Sequence, residues 1–185
     1  MTQSDRPLRA DAARNRARVL EVAYDTFAAE GLSVPIDEIA RRAGVGAGTV
    51  YRHCPTKEDL FRAVIENRIS GIVDHGRALL VGDDAGDGLF AFLRALVLQW
   101  GAADRGLADA LSRSGVDVTT DGIEESFLAM LGDLLSAAQK AGNARGDLDV
   151  RDVKALLVGL QAMQAYNDEA AERLTEVVLD GLRAP

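Results

Sequence analysis

"AGVGAGTVYRHCPTKEDLF", residues 43–61, decides how this chain folds. Three glycines, a Tyr-Arg-His run and a Pro-Thr-Lys-Glu turn fall within it, between segments with helical periodicity. Upstream, Pro35 is placed to open a helix as its first residue. Ile36, Ile39, Ala40 and Ala43 give that helix an apolar face, and Gly44 ends it. A second, very short helix is expected over about Ala47–His53, so the pair reads as a helix-turn-helix. Alone, so short a helix would not hold. It must be packed down through Val45 and Val50, leaving Thr49, Tyr51, Arg52 and His53 outward, with Lys57 at the next helix start. Hydroxyl, phenol, guanidinium, imidazole and ammonium groups are what phosphates and base edges bind. Gly46, Ala47 and Gly48 leave the short helix's N-terminus unobstructed for a phosphate.

Working outward, helical periodicity continues in both directions. Val19, Leu20, Ala23, Phe27 and Ala28 mark one buried face of a helix beginning near Arg14 and stopped by Gly31. Thr56 with Asp59 three positions on resembles a capping box, and the helix it opens carries Leu60, Phe61, Val64, Ile65, Ile69 and Ile72. After a polar break at "GDDAGDG" (82–88), helical segments are expected at about 87–103, 104–114, 121–141, 150–166 and 168–183. Strand signals are nearly absent. The expected fold is all-α, about nine helices: a three-helix domain over residues 1–66 with the helix-turn-helix, and a larger helical domain over 67–185.

The net charge of −8 argues, taken whole, against nucleic acid. Its distribution argues the other way. Residues 1–68 hold eleven Arg and Lys against ten Asp and Glu, net +1, whereas 69–185 hold ten against nineteen, net −9. Five arginines, Arg6, Arg9, Arg14, Arg16 and Arg18, precede the first apolar face. Such asymmetry suggests a nucleic-acid-facing end and a remainder with another task. Arg14, Arg16 and Arg18 form either a solvated face or an arm reaching the minor groove or backbone of DNA. No apolar run approaches the roughly 20 residues of a membrane span, no secretory signal is visible, and a cytoplasmic location with no membrane partner is expected. A single cysteine, Cys54, excludes an intrachain disulfide framework. Two histidines without a C-x-x-C motif leave no metal-ligand set, and no phosphate loop or catalytic constellation appears. Neither a cofactor nor enzymatic activity is expected.

The ordered motifs F-A-x-x-G, I-A-x-x-A-G-V, G-T-V-Y-x-H and T-K-E-x-L-F, within about residues 14–65, closely resemble the N-terminal DNA-binding domain of the TetR family of bacterial transcriptional regulators. The resemblance implies that Ala47, Gly48, Thr49, Tyr51, Arg52 and His53 face the major groove of a double-stranded DNA operator. It also implies that Tyr51, His53 and Lys57 touch backbone phosphates and that Arg52 holds a base-reading position. Two departures stand out. Val34 and Pro35 replace the usual hydroxyl residues at the second helix's start, and Cys54 replaces the usual Phe of the turn after the recognition helix, which should loosen packing beneath it.

Beyond residue 66 no comparable motif exists. The resemblance implies a C-terminal domain that forms a homodimer and holds a small-molecule inducer of a repressor. Gln99, Trp100, Phe127, Met130, Met163, Gln164 and Tyr166 are the candidate lining residues, being large adaptable apolar groups and amides on helices. The alternatives are that they are simply core, and that the domain is a protein-interaction module without an inducer. The last two helices carry apolar faces, Val153, Leu156, Leu157, Leu160 and Met163 on one and Leu174, Val177, Val178 and Leu182 on the other, which suit dimerisation.

Overall fold

The structure, a computed structural model, describes residues 5–82, 84–101, 104–107 and 122–185, with side chains from residue 11 onward except at 123. It is all-α, as expected. Among the described residues, eight α-helices and a short helical segment at 104–107 account for the plan of about nine. They are α1 (Asp5–Glu30), α2 (Ile36–Arg42), α3 (Ala47–His53), α4 (Lys57–Leu79), α5 (Gly88–Arg94), α6 (Ile123–Lys140), α7 (Val150–Tyr166) and α8 (Ala171–Leu182). The expected segment at 108–114 and the break at 114–122 lie largely outside the described residues.

Two compact units form, one from residues 5–68 with 104–107, the other from 69–101 with 122–185. In the first, the face read from the sequence is the core: Val19, Leu20, Ala23 and Phe27 of α1 are buried against Ile39 and Ala40 of α2, Val50 of α3 and Leu60, Phe61 and Val64 of α4. Phe27 and Phe61 meet edge to face, their centroids 5.5 Å apart, the arrangement aromatic quadrupoles favour. Gly31 ends α1 at φ +73°, its N–H donating to the Phe27 carbonyl. At α4 the capping box is present with Asp in the usual Glu role. Thr56 Oγ1 accepts from Asp59 N–H at 3.1 Å and Asp59 Oδ2 accepts from Thr56 N–H at 3.2 Å.

The 104–107 segment belongs to this unit through a polar cluster that sequence pattern did not reveal. Asp104 accepts from Arg68 through both carboxylate oxygens, at 2.7 and 3.0 Å, and from the Tyr24 hydroxyl at 2.6 Å. Burial, then the Asp104 carboxylate, push the Tyr24 phenol well above its ordinary pKa. Gly106 lies against α1 so closely that a Cβ there would sit 2.6 Å from the Ala28 carbonyl oxygen.

In the second unit Leu89, Phe92, Leu93, Leu96, Leu131, Leu134, Val153, Leu160 and Leu179 form the buried centre. The sequence suggests one helix over about 87–103. Instead α5 gives way at Ala95–Gln99 to a π-helical turn, closed by Trp100 N–H donating to the Ala95 carbonyl at 3.2 Å. The wider turn coincides with three consecutive buried residues, Ala95, Leu96 and Val97, more than one α-helical stripe presents to a core. Asp149 caps α7 in a second reciprocal box with Asp152. Arg94 pairs with Glu176 through two bonds, and Ala144 and Arg183 form an isolated antiparallel bridge that ties down the chain's end.

Candidate nucleic-acid interface

The α2–α3 connection is a Schellman turn. Val45 N–H donates to the Ala40 carbonyl at 3.0 Å and Gly44 N–H to the Arg41 carbonyl at 3.2 Å. Gly44 stands at φ +69°, a conformation that side-chain-bearing residues rarely adopt. α3 is held from beneath by Val50, only 3% exposed, and is closed by Cys54 N–H donating to the Val50 carbonyl at 2.8 Å.

That packing fixes what α3 presents. Gly48, Tyr51, Arg52 and His53 are exposed, while Ala47 and Thr49 are half-buried. Among the described residues neither Arg52 nor His53 has a hydrogen-bond or ion-pair partner, so both donor sets are open to solvent. The Tyr51 hydroxyl is 3.5 Å from Asp37 Oδ2, a long contact. Lys57 differs from its neighbours: its ammonium donates to the Leu32 and Ser33 carbonyl oxygens at 2.9 and 3.3 Å, pinning the loop between α1 and α2.

Carboxylates near this surface are largely neutralised within the chain. Glu38 accepts from Arg41 and Arg42, which hold its carboxyl at a pKa of about 2. Arg42 also pairs with Glu30 and lowers its pKa. Hydrogen bonds from Thr56 lower that of Asp59. In α1, Arg14 pairs with Asp11, whereas Arg16 and Arg18 are exposed.

The candidate ligand residues do not gather into one lining. Trp100, Phe127 and Met163 pack partly buried against the second unit's core, and Met130 is inside it. Trp100 meets His75 edge to face at 5.1 Å, and Phe127 lies 6.3 Å from Phe92. Met130 fills the space left by Gly76, where a Cβ would come within 2.1 Å of its sulfur. Gln164 is buried, Gln99 is exposed on the π-turn, and Tyr166 is 92% exposed at the end of α7. His75 joins this aromatic group; its position one turn before Leu79 on α4 carries no distinctive sequence signal. Thr175 is buried with no partner for its hydroxyl among the described residues.

Comparison with known proteins fits this geometry. Residues 19–64 match the family model for bacterial regulatory proteins of the tetR family, and residues 84–184 match that for the C-terminal domain of SbtR-like transcriptional regulators. The fold matches the crystal structure of a TetR transcription regulatory protein from Mycobacterium vanbaalenii with a TM-score of 0.83 and 59% identity, over 96% of this chain and all of that one.

The chain belongs to the TetR family of transcriptional regulators. A TetR regulator of Streptomyces coelicolor is similar at 36% identity and a TM-score of 0.78, covering 91% of this chain and 98% of that one. An HTH-type transcriptional regulator of Staphylococcus aureus is 38% identical over 69 residues; the match spans 37% of each chain. As a TetR-family regulator it is a DNA-binding protein, and α2–α3 is its helix-turn-helix. No helix among the described residues is long and apolar enough to cross a membrane. The 104–107 segment lies within the C-terminal family match yet packs with the DNA-binding helices.

Proposed function

We propose that this TetR-family regulator is a homodimeric repressor that binds a palindromic DNA operator and is released by a small-molecule inducer held in its C-terminal domain. One observation carries the DNA half: α3 projects Arg52 and His53, unpartnered among the described residues, from a packed and glycine-turned helix-turn-helix. Arg52 is the base reader, its guanidinium able to bond a guanine edge twice. Ala47, Gly48 and Thr49 let the backbone approach the groove. Tyr51 and His53 bind phosphate, and Lys57 adds charge there while bracing the loop below. The division of labour runs near residue 66, with DNA binding before it and ligand binding and dimerisation after.

The dimer is supported by α7 and α8. Val153, Leu157, Leu160, Val178 and Leu182 turn towards their own core, but Leu156, Val158, Tyr166 and Val177 remain 37, 57, 92 and 61% exposed. Ala155, Gly159, Ala162 and Gly181 lie exposed among them and permit close helix approach. A two-fold pair places two copies of α3 on half-sites about 34–36 Å apart. Tyr166 belongs to this face rather than to an inducer site. Trp100, edge to face with His75, and Phe127 and Met163, partly buried against the same core, are the better inducer contacts, with Gln99, Met130 and Gln164 as further candidates.

The test is selection of genomic fragments by the purified protein, at two salt concentrations. Recovery of an inverted repeat whose adjacent gene is silenced in cells supports the repressor. Recovery of sequence-independent fragments alone counts against it. A metabolite library that never shifts the thermal midpoint would favour a C-terminal protein-interaction module.

A further inference from the structure

A cavity of about 280 Å³ lies between α1 and α3, within the DNA-binding unit. Val19, Leu20, Val50 and Leu60 make its floor together with Cys54. Its rim carries Arg16 from α1 and Arg52 and His53 from α3, with Asp11 the one carboxylate. Asp11 is already paired with Arg14, and neither Arg16, Arg52 nor His53 has a partner among the described residues. The thiol is part of the floor, and burial raises the Cys54 pKa. With Arg16 and His53 it also borders a second hollow, lined further by Pro55, Asp59, Arg62 and Glu66.

An apolar chamber with Arg16, Arg52 and His53 on its rim, unpaired among the described residues, suits a compact amphipathic anion. At the packing density of protein interiors, the volume admits on the order of ten non-hydrogen atoms, below or at the small end of ordinary ligand sites. We infer that this cavity binds a small organic carboxylate, its hydrocarbon body on Val19, Leu20, Val50 and Cys54 and its carboxylate on Arg16 and Arg52. Such a ligand occupies α3 directly. It therefore opposes DNA binding by engaging Arg52 and His53, independently of any inducer in the C-terminal domain. That consequence rests on the proposed role of α3; occupancy of the cavity does not.

The test uses the full chain and octanoate, with octylammonium and octanol as charge controls. Methyl resonances of Val19, Leu20, Val50 and Leu60 report binding without DNA, and anisotropy of a labelled duplex reports competition. Octanoate is expected to shift those methyls and weaken DNA binding, and octylammonium to do neither. Arg16→Gln should weaken octanoate about five-fold or more through loss of a charge-assisted hydrogen bond, leaving octanol unchanged. Cys54→Phe should fill the chamber and remove the octanoate shifts; Cys54→Met serves the same purpose if the larger variant does not fold. Octanoate shifts confined to methyls beyond residue 69, or undiminished in the filled variant, overturn the site. Methyl shifts at the cavity without competition at the duplex would keep the site and overturn the claim that its occupancy opposes DNA binding through Arg52 and His53.

Discussion

At the scale of single residues, Gly44 is the position on which the helix-turn-helix depends most. Its φ of +69° with open space around it means that Gly44→Ala meets no clash and pays only in backbone strain. We expect a loss of about 1–2 kcal/mol, read as a lower urea midpoint with an unchanged slope. The glycine, its Schellman turn and the Thr56–Asp59 box were legible because each is a local chemical rule written in adjacent residues. Tyr24 and Asp104 were not, because eighty positions separate them and neither stands in a periodic pattern. Lys57 was legible as a cation near the surface, but its bonds to the Leu32 and Ser33 carbonyls depend on how the loop folds back.

At the scale of elements, two polar devices hold helices against one another. Arg42 links α1 to α2 by pairing with both Glu30 and Glu38. Because the folded-state pKa of Glu38 is depressed from 4.5 to about 2, its contribution is present above the unfolded value and fades as pH falls through that interval. The wild-type thermal midpoint should therefore drop more steeply between pH 4.5 and 2 than that of Glu38→Gln, and equal slopes would deny the network a role. The second device is the Arg68–Asp104–Tyr24 cluster, with Arg68 and Asp104 side chains only 22 and 19% exposed. Asp104→Asn should cost about 1–2 kcal/mol, the loss of charged hydrogen bonds in a half-buried setting, and should increase hydrogen exchange at residues 104–107. Helix existence was readable from the 3.6-residue period, and α3 and α7 fall where it placed them. The π-turn at Ala95–Gln99 was not, since "ALVLQ" is equally apolar in either helical form and tertiary packing selects between them.

At the scale of the whole molecule, the proposed homodimer would link DNA binding to self-association through the exposed apolar residues of α7 and α8. Val158→Glu with Val177→Glu should give a monomer by sedimentation and a large loss of affinity for an inverted repeat, with helical content unchanged. A variant still dimeric would place the interface elsewhere. The apolar faces of α7 and α8 were visible in the sequence, but not their division: periodicity identifies an apolar stripe without saying which side meets the chain's own core and which stays exposed. The central claim is that Arg52, projected from α3, reads DNA sequence. The most direct measurement compares wild type with Arg52→Ala on the selected repeat and on copies substituted at each base pair, at fixed salt. Arg52→Ala should lose about 1–3 kcal/mol of discrimination at one guanine per half-site, with non-specific affinity falling only modestly. Unchanged affinity and unchanged preference at every base pair would contradict it.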